Sequence, residues 1–231
     1  MNIIINGGTG GIGRELVICL ANDNRNYVLF TGRNEARMKK IASACLNKNV
    51  SFFRLDLNEF NDKKETIKDK ILKSFSRVDI LINCSGSLVV DDFLKISDQE
   101  ARMMMETNFF GPAALIKLLV PLMPPGAHIV NISSMGGFQG SSKYRGLAYY
   151  SASKAALANL TECLAGELSN LGININCLAL GSVQTEMFEK AFPGHKSLLQ
   201  PDEAAEFISY FALNGSKFFN GKVLPVAVSN P

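Results

Sequence analysis

The sequence predicts an α/β protein built on a doubly wound, mainly parallel sheet of about seven strands, and three observations carry that expectation. Short apolar runs alternate with segments of helical length from end to end. Several runs, such as Ile3-Ile4-Ile5 and Ile80-Leu81-Ile82, are continuously apolar, as strands covered on both faces must be. A glycine-rich loop follows the first run directly. Regular β-α alternation demands crossover connections, which set parallel strands side by side with helices on both faces.

Taken in order, the strands are expected over Asn2–Asn6, Tyr27–Thr31, Val50–Asp56, Val78–Asn83, His128–Ser133, Ile173–Leu180 and Lys222–Val228. Two intervening helix starts are well signalled. Ser97-Asp98-Gln99-Glu100 has the pattern of a capping box, and Pro201-Asp202-Glu203 puts proline and acids in a first turn. His128 falls in a strand and His195 in the segment before Pro201; neither is spaced as a metal ligand, and no metal is expected.

Composition narrows the function classes. With 231 residues and no repeat or linker, the chain reads as one domain over residues 1–231. The formal net charge is +3 and the basic residues are scattered, so no nucleic-acid partner is expected. The apolar stretch Leu115 to Met123 is interrupted by Lys117 and Pro121, and no membrane partner is expected either. Five cysteines form no Cys-x-x-Cys pair, and the first residues enter a strand without a charged leader. Reduced thiols and a cytoplasmic location follow as expectations.

The loop Asn6-Gly7-Gly8-Thr9-Gly10-Gly11-Ile12-Gly13-Arg14 lets the backbone turn sharply and approach a pyrophosphate, which the N–H groups of the following helix would bind. Gly8, Gly10 and Gly13 satisfy G-x-G-x-x-G, and Gly7, Gly11 and Gly13 satisfy G-x-x-x-G-x-G. No Gly-Lys-Ser/Thr follows, which excludes a P-loop. An acid at the end of the second strand, about 20 residues on, would accept from an adenosine ribose 2′-hydroxyl. Thr31-Gly32-Arg33-Asn34 offers a guanidinium there instead, so NADP(H) is favoured over NAD(H). Asp56, beside Leu57, either accepts from the adenine amino group or caps the following turn.

Tyr150 and Lys154 stand four residues apart and share one helix face. A tyrosine hydroxyl titrates near pH ~10, and a cation beside it favours the phenolate and brings it into catalytic range. Pro112 lies four residues after Asn108 and has no N–H to give to the Asn108 carbonyl.

Gly7–Gly13, Asn83-Cys84-Ser85-Gly86, Asn108, Ile132-Ser133-Ser134 and Tyr150–Lys154 together resemble, in order and spacing, the classical short-chain dehydrogenase/reductase family. The resemblance spans essentially the whole chain. It implies a Rossmann fold and hydride transfer between nicotinamide C4 and a carbonyl carbon, with Tyr150 as general acid in reduction and base in oxidation. Lys154 would lower its pKa and bind the nicotinamide ribose. Ser134 would hold the carbonyl oxygen, and Asn108 a water linking Lys154 to solvent. Gly86 would let the cofactor approach, Asn83 would tie neighbouring strands, and Gly181, Val183 and Thr185 would hold the carboxamide. The family also implies a homodimer or homotetramer and a small carbonyl or alcohol substrate.

Several departures bear on the substrate. Cys84 stands for the family's second asparagine, Leu180 for a proline, and the Asp-Gly-Gly common near the C-terminus is missing. Only about fifteen residues separate Thr185 from Pro201, a short lid, while the loop from Ser134 to Tyr150 is long and carries Lys143 and Arg145, candidates for an acidic substrate group or for solvent. A non-catalytic dinucleotide sensor or structural subunit on the same scaffold remains the alternative function.

Overall fold

A computed structural model describes residues 1–228, with Asn61 described through its backbone alone. Seven strands form one sheet: β1 (Asn2–Asn6), β2 (Tyr27–Gly32), β3 (Val50–Arg54), β4 (Ile80–Asn83), β5 (His128–Ser134), β6 (Asn174–Leu180) and β7 (Val223–Val226). The order is β3-β2-β1-β4-β5-β6-β7, and all six pairings are parallel. Every expected strand forms, with ends moved by no more than two residues. Leu55, for example, still bonds to the Gly32 carbonyl after β3 has ended.

Two layers of helices cover the sheet because side chains alternate between its faces. Ile3, Ile5, Val28, Phe30 and Ile82 point to the side of α1 (Gly11–Ala21), α2 (Glu35–Ala44) and α8 (Pro201–Asn214). Ile4, Leu29, Leu81, Ile129 and Ile175 point to the side of α3 (Phe60–Ser74), α5 (Gly111–Leu119) and α6 (Ala148–Leu168). Both faces are buried, which explains the unbroken apolar runs. Chain order reverses between β1 and β4, and that switch point opens a crevice at the carboxyl ends of the strands, where ligands bind in such sheets.

Between Asp98 and Leu119 the chain does not run as one helix. α4 (Asp98–Met105) starts from the Ser97/Glu100 capping box and passes into a π-turn over Glu106–Phe110 before α5 begins. Gly111 N–H donates to the Glu106 carbonyl, one residue further than an α-helix allows, and Pro112 has no N–H to restore the ladder at Asn108.

A row of polar side chains crosses the buried sheet just below the crevice. Thr31 Oγ1 donates to Asn6 Oδ1 (3.1 Å), Asn6 Nδ2 to Asn83 Oδ1 (3.4 Å), Asn83 Nδ2 to Asn131 Oδ1 (2.8 Å) and Asn131 Nδ2 to Thr161 Oγ1 on α6 (2.9 Å). Asn83 thus ties β1 to β5.

Candidate functional site

The glycine loop lies at the carboxyl end of β1. Gly7 has φ of +95°, and a Cβ there would come within 2.5 Å of the Ser85 amide nitrogen; at Gly13 it would lie 2.0 Å from the Gly7 carbonyl oxygen. Only glycine permits these two approaches. Gly10 is the extended N-cap of α1 and makes no side-chain cap bond, Ile12 packs against the core from the first turn, and Gly11 faces Thr185. Thr9 packs so closely under Gly32 that a Cβ there would be 2.2 Å from its Cγ2. The loop is thereby pinned to the end of β2.

Arg33 follows that end, exposed, and takes part in none of the described ion pairs. Asp56 Oδ1 accepts from the backbone N–H and side-chain Nδ2 of Asn58 (3.1 and 2.9 Å), capping the turn Leu57–Glu59, while Leu57 is buried against Gly111. Of the two roles open to Asp56, this capping is the one visible in the free chain.

The four expected reaction residues come from three elements. Asn108, fully buried in the π-turn, accepts at Oδ1 from Ser87 N–H (2.7 Å) and donates from Nδ2 to Ser87 O and Ser153 Oγ (2.9 Å each). Ser134 ends β5, and its Oγ accepts from Gly136 N–H at 3.1 Å. Tyr150 and Lys154 lie on the first turns of α6. Lys154 Nζ is buried and donates to the Ile132 carbonyl (2.9 Å), while Ser133 Oγ donates to the Lys154 carbonyl (2.8 Å). α6 is therefore fastened to β5 at Lys154 through both its ammonium and its backbone carbonyl.

Burial governs the electrostatics. It pushes the Tyr150 hydroxyl above its ordinary value, with the Ser134 hydroxyl pulling it partly back, and it depresses Lys154. The expected lowering of Tyr150 by Lys154 does not show: burial dominates, and the Ser134 hydroxyl is what opposes it. The Cys84 thiol is pushed up to about 11 and Cys177 to about 12 by burial, each drawn back by the Lys154 charge.

The lid is compact. Thr185 accepts from Phe188 N–H (3.1 Å) and caps α7 (Glu186–Ala191); Gln184 Oε1 accepts from Ser197 N–H (2.8 Å), closing its base. Val183 is buried beside it, and Gly181 is packed against Ala227 and bonded to the Val226 carbonyl. Phe188, Phe192 and His195 form an aromatic cluster that Tyr144 of the long loop joins edge-on, 6.3 Å from Phe192. Lys143 and Arg145 of that loop are exposed, and each has a partner. Lys143 Nζ donates to the Phe138 carbonyl (2.6 Å), and Arg145 Nε pairs with Asp92 (2.7 Å).

Gly86 supplies the test of whether a dinucleotide fits. A methyl group built on it would stand 3.8 Å from Lys154 Nζ, 3.9 Å from Asn108 Oδ1 and 3.6 Å from Met187 Cε, so the ammonium borders a space of side-chain size. Among the described hydrogen bonds, Lys154 uses one of its three donors. Glycine loop, exposed Arg33 and this cradle fit the parts of a phosphorylated dinucleotide. Sequence reasoning missed Ser87 and Ser153 as partners of Asn108, and Arg37, Glu186 and Met187 at the crevice; nothing in local spacing marks contacts between residues so far apart in the chain.

Among the described residues no helix is long and apolar enough to cross a membrane, and no cluster of His, Cys, Asp or Glu is suited to a metal. The family model described as short chain dehydrogenase matches residues 1–196. An uncharacterized oxidoreductase of Staphylococcus saprophyticus is 30% identical over 212 residues, which cover 90% of this chain and 88% of the relative. ElxO, solved with NADP bound, is 28% identical with a TM-score of 0.83, the match covering 98% of this chain and 96% of that one. A short-chain dehydrogenase/reductase of Serratia marcescens matches in fold, with a TM-score of 0.87 at 24% identity over 98% and 96% of the two chains.

Proposed function

The chain belongs to the short-chain dehydrogenase family, and from that premise we infer that it is an NADP-dependent oxidoreductase acting on a carbonyl or alcohol, with Tyr150 as the general acid/base. The observation that carries this is the buried Lys154 ammonium, bordering the Gly86 space and one helical turn from Tyr150. When bound, the nicotinamide supplies or accepts the hydride. The residues do the rest.

Gly7–Gly13 and the first N–H groups of α1 receive the pyrophosphate, and Arg33 receives the 2′-phosphate that NAD lacks. Asp56 and Leu57 border the adenine. Lys154 gives its remaining donors to the nicotinamide ribose, and Val183 and Thr185 border the carboxamide. Ser134 donates to the substrate oxygen, where negative charge develops in reduction. Tyr150, protonated at neutral pH as an ordinary tyrosine is, gives its proton to that oxygen. In oxidation it must lose its own, and the charge of Lys154 favours the phenolate. Asn108 fixes Ser87, next to Gly86, and Ser153, next to Lys154. The NADP bound by ElxO supports the choice of cofactor.

A second copy of the chain is the partner proposed for the outer face of α4 and α6, where Phe110 is half exposed beside a cleft of about 340 Å³ lined by Arg102, Met105 and Tyr149. Light scattering giving a monomer at micromolar concentration would refute that.

The activity is tested by following NADPH absorbance with a panel of ketones, aldehydes, sugars and acyl thioesters. Tyr150→Phe should abolish turnover of any substrate found while NADPH still binds. Unchanged turnover would end the proposal.

A further inference from the structure

Three consecutive residues at the start of the lid each touch a different part of the crevice. Thr185 Cγ2 stands 3.1 Å from where a Gly11 Cβ would lie, and Met187 Cε stands 3.6 Å from the same position at Gly86. Between them, Glu186 Oε2 pairs with Arg37 Nη1 at 3.4 Å, across 149 residues of chain. That nitrogen is also 3.9 Å from the position a Gly10 Cβ would take. Arg37 is seated for this reach, because its N–H donates to the Asn34 side chain that caps α2 (2.9 Å). A guanidinium and a carboxylate thus meet beside Gly10 of the phosphate loop.

Resting on the NADP-dependent activity proposed above, the geometry points to Arg37 as a second residue for the 2′-phosphate, with Glu186 holding its place until the cofactor arrives. The pair is a single contact between side chains 54% and 68% exposed, so solvent screens it and it holds weakly. A phosphate group brings more charge and more acceptor oxygens to the same guanidinium fork. It displaces the carboxylate, and α7 loses its tie to α2 in the same step. The pyrophosphate is already served by the N–H groups of α1, while Arg37 lies in the first turn of α2, four residues after Arg33. Without Arg37, Glu186 would confront the incoming phosphate with like charge.

The test is titration of NADPH and of NADH, each read by cofactor fluorescence, into the unsubstituted protein, Arg37→Ala and Glu186→Gln, with melting curves to confirm folding. Arg37→Ala should weaken NADPH roughly 5- to 20-fold and NADH less than about twofold, the size of a charge-assisted hydrogen bond reduced by solvent screening. Glu186→Gln should tighten NADPH about twofold. Equal weakening of both cofactors, or no change in either, in Arg37→Ala would overturn this assignment alone. Failure of the unsubstituted protein to bind either cofactor would overturn the dinucleotide proposal and this with it.

Discussion

The Asn108 side chain and the Ser87 backbone grip each other at both ends, amide to carbonyl and carbonyl to amide, at 2.7 and 2.9 Å. The loop after β4 is thereby fastened to the π-turn one residue after Gly86. The π-turn serves this contact, since an uninterrupted helix through Glu106–Phe110 would rotate Asn108 out of position.

Asn108→Leu removes three hydrogen bonds and leaves the Ser87 N–H and carbonyl without their partner. The expected loss is about 2–4 kcal/mol of stability, read from denaturant unfolding, since each stranded buried group costs about 1–3 kcal/mol. NADPH affinity should fall as well, because Gly86 is no longer held.

Two glycines separate folding from binding. A Cβ at Gly86 meets only ordinary contacts, and its φ is not in the left-handed region, so Gly86→Ala should change stability by no more than about 0.5 kcal/mol. NADPH binding, by fluorescence titration, should nonetheless weaken at least about tenfold, a loss of roughly 1.4 kcal/mol. Gly13→Ala, whose Cβ would strike the Gly7 carbonyl, should instead cost about 1–3 kcal/mol of stability.

Tyr150 should be among the last of the five tyrosines to ionise in the free protein, because burial raises it above the usual value of ~10. Ultraviolet difference titration of the unsubstituted protein against Tyr150→Phe checks this. The component missing from the variant should appear above pH ~10, and a missing component near neutrality would contradict the burial argument.

His128 gives the fold an acid sensitivity. Its Nδ1 lies 2.9 Å from the Ala212 carbonyl and its Nε2 3.0 Å from Asn176 Nδ2, an arrangement suited to a neutral ring that donates to the first and accepts from the second. Burial lowers its pKa. Between that lowered value and the unfolded value of ~6.5 the unfolded chain binds more protons, so stability is complete above about pH 6.5 and is lost as pH falls through the folded pKa. Urea midpoints should decline from about pH 7 to pH 5, and His128→Gln should flatten that decline.

Much of this architecture was legible because strands buried on both faces write themselves as unbroken apolar runs, as Ile80-Leu81-Ile82 does, and because Pro201 and Ser97 announce helix starts at fixed offsets. The glycine loop was equally plain. Pro112 signalled a fault in the helix, but the π-turn that answers it depends on how Asn108 meets Ser87, a contact 21 residues apart. Lys143 and Arg145 read as possible anion ligands only because Asp92 and the Phe138 carbonyl, their partners, are set by loop geometry. Arg37 gave no sign at all, for its meaning comes from Glu186. The desolvation that raises Tyr150 is likewise a property of packing and leaves no trace in spacing.

The polar row from Thr31 to Thr161 makes strand length an invariant of this chain. Each amide meets the next because Thr31, Asn6, Asn83 and Asn131 occupy matched rungs of β2, β1, β4 and β5. One residue inserted in β1, β4 or β5 turns its asparagine to the opposite face and strands two neighbours in a dry interior. Since every link donates in the same direction, the row works as a ratchet of register, ending on the helix that carries Tyr150 and Lys154. The strand beneath Arg33 and the helix of the reaction residues are thus spaced by a ruler of side chains, and variation in this protein is free to lengthen its loops but not its strands.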